Sequence, residues 1–206
     1  MNGAAASRVP GTPGNSAAGG PRLAAIKLGG GISADGSALA KALAAIAEAA
    51  ATYPLVVLPG GGPFADAVRA FDGSVGLSPD AAHWMAVLAM DQYAFAIADR
   101  LEGAALVYDP DGIRGALSQG RVPVLAPFRW MYAADVLPHS WEVTSDSIAA
   151  FLAGALDADV LVLLKPVAGE LDALVDPAFY TACPAGLRVA ALGPDQLTQL
   201  GPVLAG

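Results

Sequence analysis

Six short apolar runs recur along the chain with room for a helix between most of them: LAAIKL (23–28), LVVL (55–58), AALVY (104–108), VPVLA (122–126), DVLVLL (159–164) and LRVAAL (187–192). They lack the apolar–polar alternation of a strand with one face in water, so they read as strands covered on both faces. Alanine-rich stretches at 36–52, 63–71, 79–101 and 145–157 read as helices, and GPDQLTQLGPVL (193–204) as one short helix more. Buried strands separated by helices predict an α/β fold: a three-layer αβα sandwich around a mainly parallel central sheet. No internal repeat interrupts that order.

Composition narrows the partners. With 206 residues, 55% of them hydrophobic, the chain can fill one good core, and residues 21–206 are expected to form a single domain. Residues 1–20, MNGAAASRVPGTPGNSAAGG, carry almost no bulky apolar side chain and read as a disordered tail. The balance of 19 acidic against 11 basic residues leaves a formal charge of −8, with no basic surplus to grip nucleic acid or an anionic membrane. A small-molecule ligand fits better. No secretory signal or unbroken apolar run of about eighteen residues is visible, so a soluble, cytoplasmic protein is expected. The single cysteine, Cys183, cannot close an internal disulfide, suits a reducing compartment, and reads as an inert thiol.

In parallel sheets of this kind ligands gather beyond the carboxyl ends of the strands. The first apolar run ends in IKLGGG, placing Lys27 in a buried strand just ahead of Gly29, Gly30 and Gly31. The fifth ends in VLLKP, placing Lys165 in the same relation to its strand. Each lysine is either a stem that snorkels to water or a cation aimed at phosphate oxygens. The second run ends in PGGGP, where Gly60, Gly61 and Gly62 make either a tight turn or a bare backbone open to an anion. Neither glycine loop has the spacing of a P-loop or of a dinucleotide fingerprint. Arg69 follows in the next helix, as a fork for that anion or as an ordinary exposed arginine. Thr144 or Ser145 can cap the helix that starts at VTSDS. Asp146 is then either a residue favoured by the helix dipole or a carboxylate that holds both ammonium heads.

IKLGGG, VLPGGGP, VTSDSIAA and VLVLLKPV, in this order and at these separations, resemble the amino acid kinase superfamily, whose members include uridylate kinase and acetylglutamate kinase. The resemblance covers residues 22 to about 167. Within it, AAHWMAVLAMDQYA and LPHSWEVTSDSIAA look most like the branch acting on the phosphate of 5-(aminomethyl)-3-furanmethanol in methanofuran and methylofuran biosynthesis, a part of one-carbon metabolism. The resemblance implies the amino acid kinase fold and phosphoryl transfer from ATP, with Mg2+, onto a small phosphate ester to give a diphosphate. It places Lys27 and Lys165 on the transferred group with Asp146 orienting them. Glycines 29–31 and 60–62 become phosphate donors, the second loop together with Arg69 on the acceptor side. A homo-oligomer is also implied, and the apolar composition is compatible with one.

His83, Trp84, Asp91, Tyr93, His139 and Trp141 are the candidates for acceptor specificity, since a flat cationic ring suits an aromatic face and a carboxylate. Helical spacing of Trp84, Met85, Leu88 and Gln92 equally describes packing. Thr144 and Ser145 complete the candidate substrate contacts, and no residue is expected to bind metal directly. The chain departs from the family pattern after its second lysine: Pro166 and Ala168 stand where other residues are usual, and the closing strand is missing. That leaves a second expectation, a catalytically degenerate subunit or ligand-binding module that has lost ATP turnover.

Overall fold

Every strand pairing in the computed structural model, which describes residues 22–206, is parallel. The tail expected at 1–20 lies outside the described residues. In chain order the elements are β1 (Ala24–Leu28), α1 (Gly36–Ala50), β2 (Leu55–Pro59), α2 (Gly62–Val75), α3 (Pro79–Arg100), β3 (Ala104–Val107), α4 (Pro110–Ser118), β4 (Val122–Leu125), α5 (Phe128–Ala134), α6 (Ser145–Ala155), β5 (Val160–Leu164), α7 (Leu171–Leu174), α8 (Phe179–Ala182), β6 (Arg188–Leu192) and α9 (Leu200–Ala205). The sheet order is β3-β4-β2-β1-β5-β6. β1 therefore lies between β2 and β5, and the carboxyl ends of these three neighbours carry both glycine loops and both lysines.

The continuous apolar runs have a simple cause. Alternate strand residues point to opposite faces, and both faces are covered. Ala24, Ile26, Leu28, Val57 and Val162 join one buried cluster with Ile46 of α1, Tyr93 and Ile97 of α3 and Leu204 of α9. Ala25, Val56, Leu58, Leu161 and Leu163 join the other, with Ile113 of α4, Ile148 and Leu152 of α6 and Phe179 of α8. These are the three layers of the expected α/β sandwich.

Four helices among the described residues were not foreseen in the sequence: α4, α5 and the four-residue α7 and α8. α4 contains Gly112 and Gly115, which weaken the helical pattern, but Asp109 caps it by accepting from Gly112 N at 2.8 Å, and Pro110 occupies its first turn. α5 begins where Asp91 accepts from Phe128 N at 2.9 Å. The single helix expected at 193–204 is instead a 3-10 stretch, Pro194–Gln199, followed by α9.

Candidate active site

Strand parity decides where the lysines go. Lys27 shares a face with Ala25, and Lys165 shares a face with Leu161 and Leu163, so both side chains leave the sheet toward α6. Lys27 is in register with Leu163 on the adjacent strand, which puts Lys165 one same-face step further on, about 7 Å along the strand. Asp146, in the first turn of α6, fills the space between them. Its Oδ1 lies 2.9 Å from Lys27 Nζ, an ion pair not aligned as a hydrogen bond, and its Oδ2 accepts from Lys165 Nζ at 2.6 Å. All three residues are buried.

Burial alone would raise the Asp146 carboxyl, but the two ammonium groups overcome it and hold the group below the usual carboxylate range. Burial lowers Lys27 below the ordinary lysine range; Asp146 opposes the fall and the Lys165 charge adds to it. Lys165 is not on the cavity wall: its ammonium also donates to the carbonyl of Leu174, leaving one of three donor directions free.

One residue of this assembly escaped the sequence reading. Buried Asp176 accepts from Thr144 N at 3.0 Å, Thr144 Oγ1 at 2.7 Å, Ser147 N at 3.1 Å and Ser147 Oγ. It thereby fixes the N-terminus of α6, which is what aims Asp146. The Thr144 hydroxyl, expected to touch substrate, donates to Asp176 and accepts from Asp146 N at 3.4 Å as the helix cap.

The glycine loops lock together backbone to backbone. A Cβ on Gly30 would overlap the backbone nitrogen of Gly62, one on Gly60 would come within 2.6 Å of Gly30 N, and one on Gly29 within 2.5 Å of Leu164 O. Close approach, and a φ of 57° at Gly62, explain why glycine is required. Two of the six amides expected to face phosphate are already committed to backbone carbonyls. Gly29 N donates to Leu164 O at 2.9 Å and Gly60 N to Leu28 O at 2.8 Å, because both residues extend the parallel ladder. Gly30, Gly31, Gly61 and Gly62 line a cavity of about 510 Å3, and their amides donate to no carbonyl among the described residues.

Lys27, Asp146 and Ser145 lie on the same cavity wall. The same cavity is lined by Arg69 and Asp72 of α2, His83 of α3, and His139 and Trp141 of the connection between α5 and α6. Arg69 is half-exposed, pairs with Asp66 at 3.3 Å and stacks over Trp141 at 4.6 Å from the ring centre. Trp141 Nε1 donates to Asp72 Oδ2 at 2.7 Å. Three expected contacts fall elsewhere. Asp91 is off the cavity wall, where its carboxylate anchors α5 and burial raises it. Tyr93 lies in the core with its ring against Gly62. Trp84 packs edge-on against His83, His139 and Tyr132.

Residues 22–174 match the Amino acid kinase family. The chain belongs to that family. The amino acid kinase match takes in both lysines, both glycine loops and Asp146, and ends two residues before Asp176. The [5-(aminomethyl)furan-3-yl]methyl phosphate kinase of Methanocaldococcus jannaschii is 29% identical over 148 residues, 71% of this chain and 67% of that protein. The chloroplastic acetylglutamate kinase of Arabidopsis thaliana is 38% identical over 69 residues, 34% of this chain and 19% of that protein. Among solved structures, UMP kinase from Ureaplasma parvum has the same fold at a TM-score of 0.65 and 15% identity, covering 89% of this chain and 92% of its own. Uridylate kinase from Archaeoglobus fulgidus superposes at a TM-score of 0.55 and 19% identity over 72% of this chain and 65% of its own. The chain thus spans about two thirds of the length of the two archaeal relatives. The named relatives are all kinases. No helix among the described residues is long and apolar enough to cross a membrane.

Proposed function

We propose that the protein transfers the terminal phosphoryl group of ATP to the phosphate of a small phosphate ester, giving a diphosphate and ADP. The observation that carries this reading is Asp146 held between two buried lysines beside four free glycine amides. Phosphoryl transfer asks for little covalent chemistry from a protein; it needs reactants held in line and charge neutralised on the equatorial oxygens. An acceptor phosphate oxygen forms the new bond to phosphorus as the bond to ADP breaks, and no protein group has to take a proton from an acceptor already ionised at neutral pH.

Each residue then has a task. Lys27 meets the transferring group from the cavity wall, and Lys165, off that wall, holds Asp146 from the other side. Asp146 keeps the two mutually repelling ammonium groups in place while water is excluded. The amides of Gly30, Gly31, Gly61 and Gly62 donate to phosphate oxygens, with Arg69 nearby on the acceptor side. No group of three metal-binding side chains exists among the described residues. Bound with ATP, Mg2+ would be carried on phosphate oxygens and would offset their charge.

The acceptor proposed is [5-(aminomethyl)furan-3-yl]methyl phosphate, in the synthesis of a methylofuran cofactor, supported by the likeness to the M. jannaschii enzyme. The protein is further proposed to be a soluble homo-oligomer, for which light scattering is the check. A coupled assay of ADP release with this ester tests the function. Lys27→Ala and Asp146→Asn are each expected to lose about 100-fold or more in kcat; full activity in both would sink the assigned roles. Absence of ATP binding by calorimetry would leave the chain a ligand-binding relative without turnover.

A further inference from the structure

His139 lies between two carboxylates. Its Nδ1 is 2.7 Å from Asp80 Oδ1, and its Nε2 is 2.9 Å from Asp135 Oδ1. An ionised carboxylate only accepts, so both ring nitrogens donate and the ring is an imidazolium. Hydrogen bonding to Asp80 holds it above the ordinary imidazole range, helped by Asp135. His83 stacks on this ring with centroids 4.3 Å apart and planes 15° apart. A second imidazolium there would face a like charge, whereas a neutral ring over a cation is attracted.

Burial and the His139 charge therefore keep His83 neutral, outweighing the more distant Asp80 and Asp135. A neutral imidazole has one acceptor nitrogen. His83 is 6% exposed, lines the cavity, and makes no hydrogen bond among the described residues. Asp72 lines the same cavity; each of its oxygens accepts one hydrogen bond, from Trp141 Nε1 and from Leu77 N, which leaves lone pairs on both. Trp141 lines the same cavity, with the Arg69 guanidinium over its ring at 4.6 Å. An acceptor nitrogen and a carboxylate within one cavity suit a cationic N–H donor, while Arg69 in the same cavity supplies charge for a phosphate.

We infer that His83 and Asp72 form the recognition site for a protonated amine on the acceptor, with Trp141 beside its ring. His83 takes one ammonium N–H, and Asp72 meets the charge. This rests on the phosphate-ester reading and adds the chemistry of the group at the other end of the ester. His139 is a positioning residue here: its charge fixes the protonation state of His83.

Two compounds decide it, [5-(aminomethyl)furan-3-yl]methyl phosphate and the same ester with methyl in place of aminomethyl. Wild type is expected to prefer the amine by about 10- to 100-fold in kcat/KM, the range for hydrogen bonds to a charged group. His83→Phe and Asp72→Asn should each pull that ratio toward one. Calorimetry with furfurylamine, which has no phosphate, supplies a readout independent of turnover: millimolar binding by wild type, weakened in both variants. Loss of furfurylamine binding in both variants supports the amine site even if neither ester is phosphorylated, in which case the kinase reading alone fails. Turnover of both esters with no amine preference in wild type, or with the preference intact in both variants, overturns the amine site and leaves the kinase reading standing.

Discussion

The two sides of the cavity are built from different materials. On the strand-end side, positions follow from backbone: the register of β1 against β5 sets the lysines, and two glycine loops meet with no room for a Cβ. On the α2–α3 side, positions follow from side chains reaching across loops, such as Trp141 to Asp72 and His139 to Asp80 and Asp135. Backbone geometry changes little when a residue changes, whereas a side-chain wall can be refitted one substitution at a time. On the proposed function, that contrast suits a fixed phosphoryl-transfer site faced by a more variable acceptor wall.

The contrast can be broken most directly at Gly30. Gly30→Ala drives a Cβ into Gly62, so both loops must part. A displacement of about 1 Å at the reacting groups costs on the order of 100-fold in rate, and a fall of that size is expected with both acceptor esters alike. Steady-state kinetics checks it; wild-type rates would mean the interlock is not required. Next in size is Asp176→Asn. Removing the charge that gathers four donors at the start of α6 should cost about 2 kcal/mol in urea unfolding and lower kcat more than it raises the acceptor KM. A change in KM alone would move Asp176 out of the strand-end assembly.

A smaller effect sharpens the other side. The His139 imidazolium is held above the ordinary value of 6.5, so its contribution to stability is complete below pH 6.5 and is lost as pH rises through the higher folded value. Unfolding midpoints of His139→Asn and wild type should therefore converge as pH rises above 6.5; a constant gap would deny the charge. Smallest is a glycine belonging to neither side. A Cβ on Gly115 of α4 meets nothing within 4 Å, so Gly115→Ala should stabilise by about 0.5–1 kcal/mol and leave kinetics unchanged. The same substitution thus changes sign with its surroundings.

Much of this was legible in the sequence because the relevant signals are local. All six apolar runs became strands, since residues covered on both faces leave an uninterrupted apolar trace. Lys27 and Lys165 stood out as charges in buried runs, and Asp146 as an acid in a helix's first turn. Asp176 carried no such mark: its partners lie 29 to 32 residues away, and the only hint is an acid before Pro177 in an otherwise apolar stretch. Asp91 misled because it lies on a helix beside aromatics, yet its carboxylate answers a backbone amide 37 residues on. Gly29 and Gly60 were miscounted because three consecutive glycines look alike, while the first of each three continues the ladder.

The hold of Asp176 on α6 also bears on the order in which the molecule can become active. A nascent chain that has emerged through Lys165 already contains both lysines, both glycine loops and Asp146. It lacks the aspartate that fixes the start of α6 and the Leu174 carbonyl that steadies Lys165. Protein synthesis therefore reaches the chemical groups well before it reaches the segment that arranges them. Ribosome-bound or truncated intermediates ending there would carry these groups without the contacts that hold Asp146 and Lys165 in place.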